Sequence, residues 1–371
     1  MKGGSKDPLF RGLRTTPVPP PPRRPGSGAR SSMSIPTDPL RTCTPNSPPD
    51  APAGLGELSV LVTGAAGFIG INLVKALAPR CRRLICYGRR AQEILSPLGL
   101  PGTECHTGET GDIDRLGPLL HGVDRVIHLA SSSTPVNADW DLVTDAEQNV
   151  LTTLKLFRAC LAAGVGRVVF VSSGGTVYGP GAVVPTPESA PTDPITAYGV
   201  AKVAIEKYLH VFRHLHHLDY RVLRVANPYG PYQLATKGQG IIGAFIRKAL
   251  AGQPLEIWGD GSTVRDYVYI DDLTDALLRA AVHDGPGRVF NVGSGRGTTI
   301  NEVTDTLEAV LGRRLERLYH PPRPVDVPVS VLDCAAAWRE MGWRATTPLA
   351  DGMADTLRWF TRHVTPPRAS A

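Results

Sequence analysis

The 371-residue chain has 39 Gly, 34 Pro, 42% hydrophobic and 20% charged residues, enough for one large domain or two smaller ones with a substantial core. It has no run of about 18 apolar residues, which excludes a membrane span, and its six cysteines (43, 81, 86, 105, 160 and 334) form no C-x-x-C pair, so they read as reduced thiols of a cytoplasmic protein. The net charge of +6 is concentrated in residues 1–56, where eight Lys/Arg face three Asp, leaving +1 for the body and no footprint for nucleic acid.

Residues 1–56 carry thirteen of the prolines, including Pro19–Pro22, and have little apolar surface to bury. They are expected to be a disordered tail, and no apolar stretch follows Arg23-Arg24 to make a signal peptide. From Leu58 onward, strand-like and helix-like segments alternate. S-V-L-V-T-G (59–64) reads as a buried strand entering a Gly-rich turn, and Phe68–Leu77 as a helix. Strands follow at 83–87 and 124–130, then a long helix at Asp141–Ala163, a strand at 167–172, a helix at Ala197–Leu218 and a strand at 220–225. This alternation predicts an α/β fold with a doubly wound parallel sheet covered on both faces. From Asn227 the elements shorten and Pro and Gly become frequent, as in a smaller, irregular C-terminal lobe over the carboxyl ends of the strands. The expected division is a nucleotide-binding domain at 57–226 with a returning segment at about 263–292, and a substrate lobe at 227–262 and 293–365.

T-G-A-A-G-F-I-G places Gly64, Gly67, Phe68, Ile69 and Gly70 between strand and helix. Glycines there permit a tight turn and close approach to a pyrophosphate, and the helix N-terminus supplies donors for the anion. No carboxylate ends the second strand, which reads Cys86-Tyr87-Gly88-Arg89-Arg90. Arg89 or Arg90 could meet a 2′-phosphate, so NADP stands beside NAD. Tyr198 and Lys202 are spaced to share one helical face. A lysine ammonium beside a phenol favours the phenolate, so Tyr198 is expected to be drawn below its usual pKa of about 10 and to act as a general base. His210, His214, His216 and His217 read as a solvated face, with no metal.

The G-x-x-G-x-x-G spacing joined to Tyr198-x-x-x-Lys202 resembles the extended short-chain dehydrogenases/reductases of the NAD-dependent epimerase/dehydratase family, with a Rossmann-like fold. The resemblance implies that Asp112 and Ile113 contact adenine, that Leu129, Ala130, Ser131 and Ser172 lie beside the cofactor, and that Asn149 is the family's helix asparagine. In S-S-G-G-T-V-Y-G (172–179) the family's catalytic hydroxyl position falls on Gly174. Its role is expected to move to Thr176, or else Ser173, and a serine restored at 174 is expected to be tolerated. Gly175 and Thr176 lack the carboxylates that 4,6-dehydratases need there.

Downstream phrases are similar to UDP-hexose 4-epimerases over roughly 58–360. That similarity implies substrate contacts from Asn227, Gly240, Ile241, Ile257, Trp258, Arg265, Arg323 and Asp326. It places Ser330 beside the sugar's C2 substituent, where a small residue leaves room for an acetamido group. The implied protein is a homodimer that epimerises a UDP-linked sugar at C4 with NAD. An NADPH-dependent 4-ketoreductase, a 4,6-dehydratase and a non-catalytic NAD(P) sensor remain as alternatives.

Overall fold

The computed structural model describes residues 52–133, 141–234, 240–322 and 327–363. Most of the expected tail lies outside them, as do Cys43, Arg323 and Asp326. The tail is shorter than residue 56, because Leu55–Glu57 forms a 3-10 turn and Leu55 is buried in the main core.

Strand β1 (Ser59–Thr63) is buried at every position and leads through the glycine turn into α1 (Phe68–Leu77). Then come β2 (Arg83–Gly88), α2 (Ala91–Leu95), β3 (Thr103–Thr107), α3 (Ile113–Leu116) and β4 (Arg125–His128). The expected long helix is present but interrupted. It is made of α4 (Leu142–Asp145), a π turn at Ala146–Leu151, and α5 (Thr152–Ala162). Thr152 and Thr153 hydroxyls donate to the carbonyls of Glu147 and Asn149, occupying acceptors in the widened turn. Strand β5 (Arg167–Ser173), α6 (Ala197–His216) and β6 (Asp219–Val225) follow. Thr196 caps α6 by accepting from the Gly199 amide, and His217 ends it in a left-handed conformation.

The C-terminal part adds β7 (Asn227–Tyr229), α7 (Ile241–Leu250), β8 (Leu255–Trp258), β9 (Val264–Tyr269), α8 (Ile270–Val282) and β10 (Val289–Val292). The remaining elements are β11 (Gly297–Thr299), α9 (Ile300–Leu311), β12 (Arg317–His320), β13 (Val329–Ser330), α10 (Ala335–Met341) and α11 (Leu349–His363). Seven parallel strands form one sheet in the order β10-β6-β5-β4-β1-β2-β3. The strand order reverses between β1 and β4, the switch point at whose carboxyl end such sheets hold ligands. Of the expected returning segment, α8 and β10 rejoin this unit, while β9 pairs with β7, β11 and β13 in a small sheet.

Alternation along the strands builds two cores. Val60, Val62, Val169 and Val171 face one layer, which continues without a break into Tyr229, Phe245, Ile257 and Phe360 of the C-terminal part. Leu61, Val126, Val168 and Phe170 face the other, with Leu156 and Phe157 of α5 and Ile205 and Leu209 of α6. This second face carries the candidate chemistry.

Candidate active site

The glycine turn closes by backbone contacts that leave no room for side chains. Gly64 has φ +69°, and a Cβ there would stand 2.7 Å from the Ala130 nitrogen; one on Gly70 would collide with the Gly64 carbonyl. Gly67 is the N-cap of α1 and has no side chain to satisfy the first-turn amides, so those of Phe68 and Ile69 are available to an anion. The cradle fits a dinucleotide pyrophosphate. Beside it, Arg90 is held by Glu93 (Nε to Oε2, 2.7 Å), whereas Arg89 is exposed with no partner among the described residues. Asp112 caps α3 by accepting from the Arg115 amide, and Ile113 is half-buried next to it.

Past β4, the Asn149 side chain organises the loop 131–133. Its Oδ1 accepts from the Ser132 amide (2.9 Å) and the Ser131 hydroxyl, and its Nδ2 donates to Ser133 Oγ and to Asp145. Leu129 donates its amide to Thr63, tying the strand end to β1. Asn149 therefore acts on the protein's own loop. One small cavity has Ser131, Ser133, Asn149, Tyr198 and Lys202 together on its wall.

Lys202 is buried, donates from Nζ to the Val171 carbonyl at 3.0 Å, and lies over the rings of Phe170 (4.8 Å) and Tyr198 (5.4 Å). Burial pushes its ammonium down to about 8, against the pull of the Glu206 and Asp145 carboxylates. The unliganded Tyr198 phenol is shifted in the direction opposite to the expected lowering. Burial, reinforced by Asp145, pushes the half-buried phenol up to about 12, because lost solvation penalises the phenolate. Gly199 is required by the fit of this helix start, since a Cβ there would stand 2.7 Å from Pro194 and 2.9 Å from the Thr176 carbonyl.

Thr176 thus lies against the first turn of α6, and its buried hydroxyl has no partner among the described residues. Ser173 follows Val169 and Val171 onto the opposite face of β5. Ser172 is on the α6 face, but its hydroxyl is committed to the buried Glu206 carboxylate, which also takes a bidentate pair from Arg224. Any part for Ser172 beside a cofactor falls to its backbone. Gly174 faces elsewhere still. A Cβ there would meet Leu332 at 2.5 Å and the Arg224 carbonyl at 3.0 Å, so a serine at 174 would have to displace the Leu332 side chain.

In the C-terminal part, Asn227 Nδ2 donates to the Asp266 carbonyl and Arg265 to the carbonyls of Val264 and Val327. Gly240, with φ +82°, is the N-cap of α7 just before Ile241, and it packs against Gln233. Ile257 is buried, while Trp258 stacks on His320 at 4.6 Å in the wall of a wide pocket. Ser330 pairs with Arg265 in register. His210, His214, His216 and His217 are exposed, and no metal-ligand cluster occurs among the described residues. Sequence reasoning missed Asp145, Glu206 and the clamp on His128. Asp145 and Glu206 each lie four residues from a residue already singled out, Asn149 or Lys202, which was the available signal.

Residues 60–293 match the NAD dependent epimerase/dehydratase family. A UDP-glucose 4-epimerase of Mycolicibacterium smegmatis is 38% identical over 308 residues, 82% of this chain and 98% of that protein. The UDP-glucose 4-epimerase of Thermotoga maritima, solved with UDP-glucose, is similar with a TM-score of 0.78 and 35% identity, over 83% of this chain and 100% of that one. That of Thermus thermophilus, solved with NAD, gives 0.76 and 31% over 83% and 100%.

Proposed function

The chain belongs to the NAD-dependent epimerase/dehydratase family, and we propose that it interconverts C4 epimers of a UDP-hexose or UDP-N-acetylhexosamine through a 4-keto intermediate, with NAD as cofactor. The observation that carries this reading is the small cavity at the end of β4 on whose wall Tyr198 and Lys202 stand together with Ala130, Ser131 and Asn149.

The cofactor's pyrophosphate would lie on the amides of Phe68 and Ile69, its adenine near Asp112 and Ile113, and its far end along Leu129–Ser131 and Lys202. When bound, NAD supplies a reversible hydride acceptor. Tyr198 removes the proton of the C4 hydroxyl and returns it once the keto sugar has presented its other face. Lys202 orients the cofactor ribose and supplies the positive charge nearest the phenol. Thr176 donates to the C4 oxygen. Gly175 and Thr176 bring no carboxylate, which weighs against elimination and so against a 4,6-dehydratase. The nucleotide would be held by Asn227, Gly240, Ile241, Ile257, Trp258 and Arg265, with Arg323 and Asp326 completing the set. Serine at 330 leaves space for an acetamido group.

A second reading, an NADPH-dependent 4-ketoreductase, has Arg89 in its favour. This exposed guanidinium directly follows β2, where it would meet a 2′-phosphate, while Arg90 is spent on Glu93. We also propose a homodimer and a cytoplasmic setting, the latter supported by free thiols at Cys81, Cys86, Cys105, Cys160 and Cys334. No helix among the described residues is long and apolar enough to cross a membrane.

The test is to denature the purified protein, identify the released nucleotide, and assay UDP-galactose and UDP-N-acetylgalactosamine for conversion to their C4 epimers. Released NAD and conversion of either sugar support the epimerase. Failure to convert either one, with NADPH consumed on a 4-keto sugar nucleotide, would overturn it.

A further inference from the structure

Lys202 is a buried cation, 6% exposed, to which the protein gives little polar company. Its Nζ donates to the Val171 carbonyl at 3.0 Å, and among the described residues no carboxylate comes within ion-pair distance. What faces the ammonium instead is aromatic. Nζ stands 4.8 Å from the centre of the Phe170 ring and 5.4 Å from that of Tyr198. Phe170 is the one aromatic residue of β5 and is itself 1% exposed. Its neighbour in register on β4 is His128, and the two rings stack at 5.8 Å and 22°, which fixes the plane of the phenyl ring. We propose that Phe170 is a positioning residue, the aromatic platform on which the Lys202 ammonium is held beside Tyr198. This rests on the reading of Tyr198 and Lys202 as the catalytic pair.

A ring face is negative, and its attraction for a cation is strongest where water is excluded. An aliphatic side chain at 170 would fill the same core but leave the ammonium with one carbonyl and the Tyr198 ring. The other titratable groups around it do not replace the platform. Glu206, one turn along α6, is committed to Arg224 of β6 and to Ser172 of β5. Asp145 of α4 has its carboxylate bonded by Asn149. His128 of β4 is kept neutral by burial, and Tyr198 is a phenol at neutral pH. Loss of the platform therefore favours the free amine over the ammonium, and Lys202 gives up its proton at lower pH.

Fluorination separates the charge of the ring from its shape. Mono-, di- and trifluorophenylalanine at position 170 drain the ring face stepwise while nearly keeping its volume. The Lys202 ammonium is followed by carbon NMR of lysine-labelled protein without substrate, its signal assigned by loss in Lys202→Met. It should titrate at lower pH with each added fluorine, by roughly one unit for the trifluoro ring. The kcat/KM for epimerisation should begin to fall at correspondingly lower pH. Phe170→Leu keeps the site apolar and should shift both readouts the same way, and it takes the place of the fluorinated series if that fails to fold. A Lys202 titration that stays unmoved, that rises, or that responds to leucine but not to fluorine would make Phe170 core packing only and overturn the proposal. If the wild-type protein epimerises no sugar, the functional reading fails while the NMR titration still decides this one.

Discussion

Tyr198 occupies a pocket that resists its ionisation, with the phenol held near 12 and the Lys202 ammonium drawn down to about 8. The unliganded pair is thus protonated on both members at neutral pH, and Tyr198 must release its phenol proton to solvent as the site fills before it can take the proton of the C4 hydroxyl. Tyr198→Phe should then lower turnover by at least about a hundredfold, since removal of a general acid–base group typically costs 10²–10⁴. Nucleotide retention on gel filtration should survive, and near-normal turnover would end the assignment. Thr176→Val should be more damaging than Ser173→Ala, because only Thr176 lies against α6 with an unpaired hydroxyl. At Gly174 the consequence is one of stability. Serine there overpacks against Leu332, at a cost of about 1–3 kcal/mol read as a lower urea midpoint. Adding Leu332→Ala should recover part of that loss, and strictly additive losses would show that the two positions do not meet. The Tyr198–Lys202 pair was legible because helical spacing is local. Gly174 was not, because what fills the space beside it is Leu332, just past β13 and far along the chain.

Helix α6 and strand β4 show what the elements add. On α6, Lys202 and Glu206 stand one turn apart within an otherwise apolar buried stripe, and β5 and β6 supply the Ser172 and Arg224 groups that make this burial bearable. On β4, His128 is clamped from both sides. Thr153 donates its hydroxyl proton to the Asn149 carbonyl, so at 3.0 Å it accepts from His128 Nε2–H, which leaves Nδ1 to accept from Thr63 at 2.6 Å. The ring must stay neutral, and burial with the nearby Lys202 charge pushes its pKa down to about 3. Unfolded histidine titrates near 6.5, so between these values the unfolded chain binds a proton that the folded chain refuses. Stability from this clamp is complete above about 6.5, falls as pH drops, and is exhausted near 3. By pH 5 the loss is about 2 kcal/mol. His128→Gln should be less stable at pH 7.5 yet lose less between pH 7.5 and 5 in urea titrations; an equally steep loss would place the acid sensitivity elsewhere. The strand and both helices were readable from periodicity. The π turn that brings Asn149 and Asp145 to the site was not, since one widened turn leaves the apolar period almost unchanged.

At the scale of the whole molecule, the sheet was legible from its alternating segments, and the identity of its two faces followed once register was known. What single-chain burial leaves over is a seam on the outer side of the helices that carry the site. Val200, Tyr208, Val211 and Leu215 recur along one side of α6, and Leu142 and Val143 lie exposed on the adjoining α4, both more than 60% accessible. Scattered exposed apolar residues need no explanation, but a continuous stripe across two packed helices does. A second copy of the same stripe would cover it, giving a two-fold interface in which each helix pair meets its equivalent. Fully burying one such side chain contributes about 1.5–3 kcal/mol, so a handful from each chain is enough for a stable pair. A carboxylate placed mid-stripe would be buried without a cation, which costs more than the lost apolar contact. Light scattering should therefore give twice the chain mass for the wild type and a single chain mass for Val211→Glu combined with Leu215→Glu. Because Tyr198 and Lys202 lie on the buried side of the same helix, the monomeric variant should keep its bound nucleotide while turning over more slowly. A wild-type monomer, or a double variant that stays paired, would show that this stripe is covered by something other than its own copy.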